Sequence, residues 1–211
     1  MTNSDYEERY VIWPKSRMGW RAPSLWVSVY DNDGHMLLQS ENIKHKRRDF
    51  ASFLEKGIAF YNADGDNQES LKIEFSSIDP SKSVRCDVFD CIRNEWLGAL
   101  GNMLAPDHMV DRFPENSGWA ISGSVFEIGK FESVTKLIGP RYNFDIHSEL
   151  QTVGRVYLQG KNPFVARPLV IEFSPESAPR LDRRIIFSFA ALVFAFDLIN
   201  QPLPVGGGGS G

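Results

Sequence analysis

Residues Asp182 to Asn200, DRRIIFSFAALVFAFDLIN, decide the fold. From Ile185 to Ile199 the run is apolar almost without interruption, so a helix formed there is apolar all round. Such a helix is sunk either in a protein core or in lipid. A bilayer span needs about 20 apolar residues, and shorter runs belong to cores. This run is shorter, and Asp197 near its end would cost about 2.5–3.5 kcal/mol at a bilayer centre. Pro202 and Pro204 follow almost at once, with no basic stop-transfer cluster. The reading is a buried core helix rather than a transmembrane span, with Asp182 as its cap or first-turn acid.

A helix covered on every face needs something around it, and the chain before it reads as strands. Ser24 to Tyr30 (SLWVSVY) alternates large apolar and small polar residues, meets Asp31-Asn32-Asp33-Gly34, and resumes as His35-Met36-Leu37-Leu38. Strand, Asp/Asn/Gly turn, strand is a hairpin. The arrangement recurs from Val84–Phe89 into Trp96–Leu100, from Trp119–Val125 into Phe126–Val134, and from Tyr142–His147 into Thr152–Leu158. Leu71-Lys72-Ile73-Glu74-Phe75 is echoed by Leu169-Val170-Ile171-Glu172-Phe173, each with Ile and Phe on one face and Glu on the other. Repeated hairpins suggest a meander wrapped into a barrel rather than βαβ units. Arg48 to Gly57 reads as a short helix, with Phe50, Phe53 and Leu54 on one face and Gly57 as its stop. The expectation is a mainly β (α+β) domain, a closed antiparallel β-barrel around a buried hydrophobic C-terminal helix.

Composition bounds the rest. The 211 residues are 42% hydrophobic and 24% charged, as in ordinary globular proteins. No Pro, Gly or charge-rich stretch divides the middle, so residues 1–204 read as one domain and 205–211 as a flexible Gly/Ser linker. A net charge of -4 gives no support for a general nucleic-acid binder. Cys86 and Cys91 are too few and too close for a disulfide framework, and no Cys/His spacing makes a zinc site. The polar, acidic N-terminus lacks a secretory signal's basic start and apolar run, so the expected location is cytoplasmic.

The last third resembles the tubby C-terminal-like superfamily, which includes tubby proteins, phospholipid scramblases and plant LURP-one-related proteins. The residues that carry the resemblance are Ile138-Gly139-Pro140-Arg141, Phe144-Asp145-Ile146-His147, Thr152-Val153-Gly154-Arg155-Val156, the strand Leu169 to Phe173, and the helix with its late Asp197. It covers about residues 84–200, by order of pattern rather than by identity. The resemblance implies a closed barrel threaded by the C-terminal helix, and a surface that binds phosphoinositide head groups through basic residues. There is no cysteine-rich palmitoylation cluster and no clear equivalent of the scramblases' acidic calcium segment, so it does not imply scramblase activity.

No Gly-x-Ser-x-Gly elbow, phosphate loop or His-Glu-x-x-His is present, so the expectation is a non-enzymatic module without cofactor or metal. Asp31-Asn32-Asp33-Gly34 suggests calcium at first sight, but the twelfth position of such a loop is Asn42 rather than Glu, and a turn explains it. Trp26 and Trp119 read as core, while Trp13 and Trp20 flank a loop from Pro14 to Gly19 with an interface-like composition. Lys44, Lys46, Arg47 and Arg48 belong to the only dense basic run. Positive charge at the start of the expected helix opposes its dipole, whereas an anionic phosphate would welcome it. These four are the expected ligand-binding residues, with an anionic lipid head group as ligand and a peripheral membrane position. The competing readings are a protein-interaction module, such as an inhibitor or immunity-type partner that occludes another protein, and an enzyme with a site inside the barrel.

Overall fold

The computed structural model describes residues 8–17, 24–41, 43–44, 56–64, 68–79, 83–103, 119–122, 126–130, 143–148, 151–160, 167–175 and 181–200. Thirteen strands and one long helix make up the described architecture. The strands are β1 (Glu8–Arg17), β2 (Ser24–Tyr30), β3 (Met36–Ser40), β4 (Ile43–Lys44), β5 (Ile58–Asn62), β6 (Glu69–Asp79) and β7 (Ser83–Asp90). They continue with β8 (Glu95–Met103), β9 (Trp119–Ser122), β10 (Phe126–Lys130), β11 (Asn143–Ser148), β12 (Gln151–Leu158) and β13 (Leu169–Phe173). The C-terminal helix, here α1, is Arg183–Asn200.

All pairings are antiparallel, in the order β1-β13-β12-β11-β10-β9-β8-β7-β6-β5-β3-β2-β4. The four hairpins expected from the sequence are present as β2–β3, β7–β8, β9–β10 and β11–β12. The echoed segments are β6 and β13, and both turn their Leu and Ile inward: Leu71, Ile73, Leu169 and Ile171 are fully buried. In β1, Glu8 to Ile12 pairs with β13, and Val11 to Arg17 pairs with β2.

That last pairing corrects the loop expected from Pro14 onward. Proline has no N–H to give a ladder, so it survives only where that group would face no partner. Val27, opposite Pro14, sends its N–H the other way, to Ser40 Oγ at 2.9 Å. The Pro14 nitrogen therefore faces away from β2, toward the side where pairing with β13 has already ended at Ile12. Trp26 is a second correction. Its neighbours Leu25, Val27 and Val29 are buried, and period-2 alternation leaves Trp26 outward and only half-buried. The side chain of Trp119 lies outside the described residues.

The inward faces and α1 form one core. Ile185 to Ala195 is buried throughout, Ser188 included, whose hydroxyl donates to the Arg184 carbonyl at 2.8 Å. The helix is met from well-separated strands. Tyr10 of β1 packs edge-on against Phe187 at 4.8 Å, and Phe144 of β11 against Phe189 at 5.0 Å. Among the described residues no helix is long and apolar enough to cross a membrane. Of the short helix expected over Arg48 to Gly57, only the end is described: Lys56 is helical and Gly57 has φ 68°. A Cβ at Gly57 would lie 2.1 Å from the Ile73 carbonyl oxygen, so glycine is required there. Gly154 is required by close approach alone: its Cβ would fall 2.8 Å from the Glu172 carbonyl oxygen across the ladder.

Candidate functional site

Of the four basic residues expected to bind a ligand, Lys44 is placed in β4; Lys46, Arg47 and Arg48 lie outside the described residues. β4 pairs with β2 through Ser24↔Lys44 and Leu25↔Ile43, while β1 pairs with the same stretch through Arg17↔Ser24 and Lys15↔Trp26. Arg17 and Lys44 thus take the register positions on either side of Ser24. The next row holds Lys15 and Trp26, and the one after it Trp13 and Ser28. Leu25, Val27 and Ile12 face the core, so Trp13, Lys15 and Trp26, which alternate with them, belong to the outward face. Trp13 is 44% exposed and Lys15 is exposed. The sequence reading missed Lys15 and Arg17, because they sat in what looked like a loop. The alternation of Val11, Trp13, Lys15 and Arg17 through Pro14 was the signal available.

A second cluster lies where α1 begins. Asp182 caps the helix, accepting the Arg184 amide at 2.9 Å, and holds the Arg184 guanidinium at 3.0 and 2.7 Å. The same guanidinium donates to Asp90 at 2.5 Å. Asp90, 4% exposed at its side chain, closes the β7–β8 turn by accepting the Ile92 and Arg93 amides, each at 2.9 Å. Burial works to raise the Asp90 and Asp182 carboxyls; hydrogen bonds from amides and Arg184 prevail and hold both below the usual range. Arg183 is bound likewise, with Nε 2.9 Å from Glu8 and its guanidinium carbon 4.0 Å above the Phe173 ring. Beside Arg184 an open cavity of about 290 Å³ is walled by Leu38, Asn62, Ser70, Asp90, Ile92 and Arg93. Its deepest charges already satisfy one another: Asp90 is matched by Arg184, and Arg184 by two carboxylates. The cluster therefore fixes the helix start to β7 and β1, and its chemistry is that of a structural clamp.

The remaining groups lack reactivity or serve the fold. Asp31, Asp33 and His35 offer three ligand atoms within 4.8 Å of one another. Asp31 Oδ1, however, already accepts the Asp33 and His35 amides at 3.0 and 2.8 Å, which closes the β2–β3 turn. Burial pushes the Cys86 thiol up, and burial together with the Glu69 carboxylate pushes Cys91 up to about 11. Neither is a ready thiolate at neutral pH. Trp13 and Lys15 are the exposed aromatic residue and cation of β1, in the rows next to the start of the basic run. No family model, curated protein or solved structure matches the chain.

Proposed function

We propose that the chain is a non-enzymatic tubby-like binding module, whose ring of strand pairings is a closed barrel around α1. It docks on an anionic lipid surface or a phosphate-bearing ligand through Lys44, Lys46, Arg47 and Arg48, from a peripheral, cytoplasmic position. The double pairing of β1, to β13 and to β2, supports the closed barrel. The observation that carries the ligand reading is the Arg17–Ser24–Lys44 row. It adds Arg17, with Lys15 in the next row, to the start of the basic run in the strand register. Clustered cations of this kind attract anionic surfaces and lose that attraction with salt. Flotation with acidic liposomes tests the reading. Binding should fall when Lys44, Lys46, Arg47 and Arg48 are neutralised together, and unchanged binding would remove the site.

The competing protein-interaction reading draws on exposed Trp13, since tryptophan beside basic residues is an interface composition. A stoichiometric protein partner recovered from the source cell, competing with liposomes for the Trp13 surface, would favour it.

A further inference from the structure

The three exposed large apolar side chains among the described residues are Trp13, Ile92 and Trp96. The two tryptophans have opposite surroundings. Trp96, 48% exposed, donates its indole N–H to Asp87 at 3.0 Å and follows Glu95. Trp13, 44% exposed, lies one row from Lys15 and two from Arg17 and Lys44. Three alternate rows of the register, positions 13, 15 and 17 of β1, 24, 26 and 28 of β2, and 44 of β4, hold three basic residues, two tryptophans, two serines and no acid, with Trp13 and Lys15 exposed and Ser28 buried.

Resting on the reading above, we propose that this outward wall of β1, β2 and β4 is a bilayer-facing surface. Trp13 enters the interfacial layer of an anionic phospholipid membrane, and half-buried Trp26 backs it. Lys15, Arg17 and Lys44 lie against the headgroups. The occupant follows from the combination. A soluble phosphate ion would be satisfied by the cations and would have no use for an exposed indole. The indole, apolar in body with one N–H donor, fits the boundary between headgroup and acyl chain, where tryptophan concentrates. The alternation of the strand puts the exposed Trp13 ring and Lys15 on one face, so both reach the same plane. Trp96 is the internal contrast, because Asp87 and Glu95 beside it would be repelled by the same surface.

The experiment is vesicle flotation of the full chain, using phosphatidylcholine vesicles with and without phosphatidylserine. Melting curves confirm that each variant is folded. Trp13→Ala should weaken binding to the anionic vesicles severalfold, and Trp96→Ala should leave it unchanged. The double variant Lys15→Gln, Arg17→Gln should weaken it by about fivefold for each charge removed, and keeps the wall testable if Trp13→Ala does not fold. Brominated phosphatidylcholine in the anionic vesicles should quench tryptophan fluorescence in the wild type and less so in Trp13→Ala. Inorganic phosphate, at matched ionic strength, should not compete. Suppose Trp13→Ala and the double variant bind as wild type while neutralising Lys44, Lys46, Arg47 and Arg48 abolishes binding. The wall is then overturned and the basic-run reading stands. Competition by inorganic phosphate without quenching also overturns the wall, and assigns the site to a free phosphate group. Absence of wild-type binding to phosphatidylserine vesicles overturns both. A protein that displaces the vesicles by occupying Trp13, when no quenching is seen, makes the wall a protein interface instead.

Discussion

β1 carries two unlike surfaces on ten residues. Tyr10 and Ile12 point at α1 and the core, where Ile12 is fully buried and Tyr10 meets Phe187 edge-on. Arg9, Val11, Trp13 and Lys15 point the other way, and none of them is buried. Core positions are constrained by packing at close to crystal density, so substitutions there are felt throughout. Outward positions answer to solvent and neighbours alone, so what they carry beyond solubility calls for another cause. The contrast separates residues that make the fold from residues free to make a binding surface, and it can be tested residue by residue.

The sharpest break of the inner side is Ala191→Asp. Ala191 is fully buried at the middle of α1, where a carboxylate would have neither water nor a partner. The domain should lose more than about 4 kcal/mol and fail to fold cooperatively. A circular-dichroism melt checks this, and a variant that melts like the wild type would show that α1 is not enclosed. Ile12→Ala comes next, at about 2–4 kcal/mol from lost transfer energy and a residual cavity. Trp13→Ala, one residue along, should stay within about 0.5 kcal/mol, as surface substitutions do. Similar losses at both positions would erase the distinction on which the functional reading rests.

Arg184→Ala tests the clamp that fixes the helix start. It leaves buried Asp90 with its two backbone amides and the more distant, exposed Arg93 guanidinium at 3.9 Å, which should cost roughly 2–3 kcal/mol in chemical denaturation. The same clamp sets the acid limit. Glu8, Asp90 and Asp182 are all held below the usual carboxylate range: burial opposes this, and the hydrogen bonds from Arg183, Arg184 and backbone amides outweigh it. A carboxyl whose folded pKa is depressed stabilises the fold fully above its unfolded value, and loses that contribution as pH falls through the folded one. The melting temperature should therefore be level from neutral pH down to about 5 and fall below about 4. The fall should be shallower in Arg184→Ala, because part of the linkage is already gone. Equal acid slopes in the two proteins would show that Arg184 is not what holds these carboxyls ionised.

Much of this arrangement was legible in the sequence. Asp31 to Gly34 announced the β2–β3 hairpin because the Asp side chain and Gly34, at φ 83°, do what a tight turn needs. The helix was legible because an all-round apolar run must be enclosed, and its short length, Asp197 and the prolines after it favoured a core over lipid. β1 was hidden by Pro14, whose cost depends on which edge its missing N–H faces, and that is a tertiary fact. Trp26 was misplaced although the signal was present. Leu25, Val27 and Val29 are uniformly apolar and claim the inner face, and alternation then puts Trp26 with Ser28 and Tyr30. The basic run was visible, but its neighbours Lys15 and Arg17 are joined to Lys44 only by the pairing of two strands to β2. Asp90 and Arg184, 94 residues apart in the chain, carried no local signal at all.

The smallest effect belongs to the outer face beyond the aromatic wall. Across four neighbouring strands the register aligns Asp145, Arg155, Glu172 and Arg9, an alternation of sign in one row. Arg155 Nε lies 3.1 Å from Asp145, and Tyr157 donates to Glu172 at 2.9 Å. Cross-strand pairs of opposite charge stabilise a sheet by roughly 0.2–1 kcal/mol, and partly exposed ones lose much of that to salt. Arg155→Ala should thus cost about 0.5–1 kcal/mol at low ionic strength and less at high, measured by urea denaturation at both. This row neutralises itself, whereas the register row of Arg17, Ser24 and Lys44 has no acid in it. If Arg155→Ala proved as costly as Arg184→Ala, with no dependence on salt, the ladder would be part of the interior. The division of β1 into a structural and a free face would then fail at Arg9, the ladder's end on that strand.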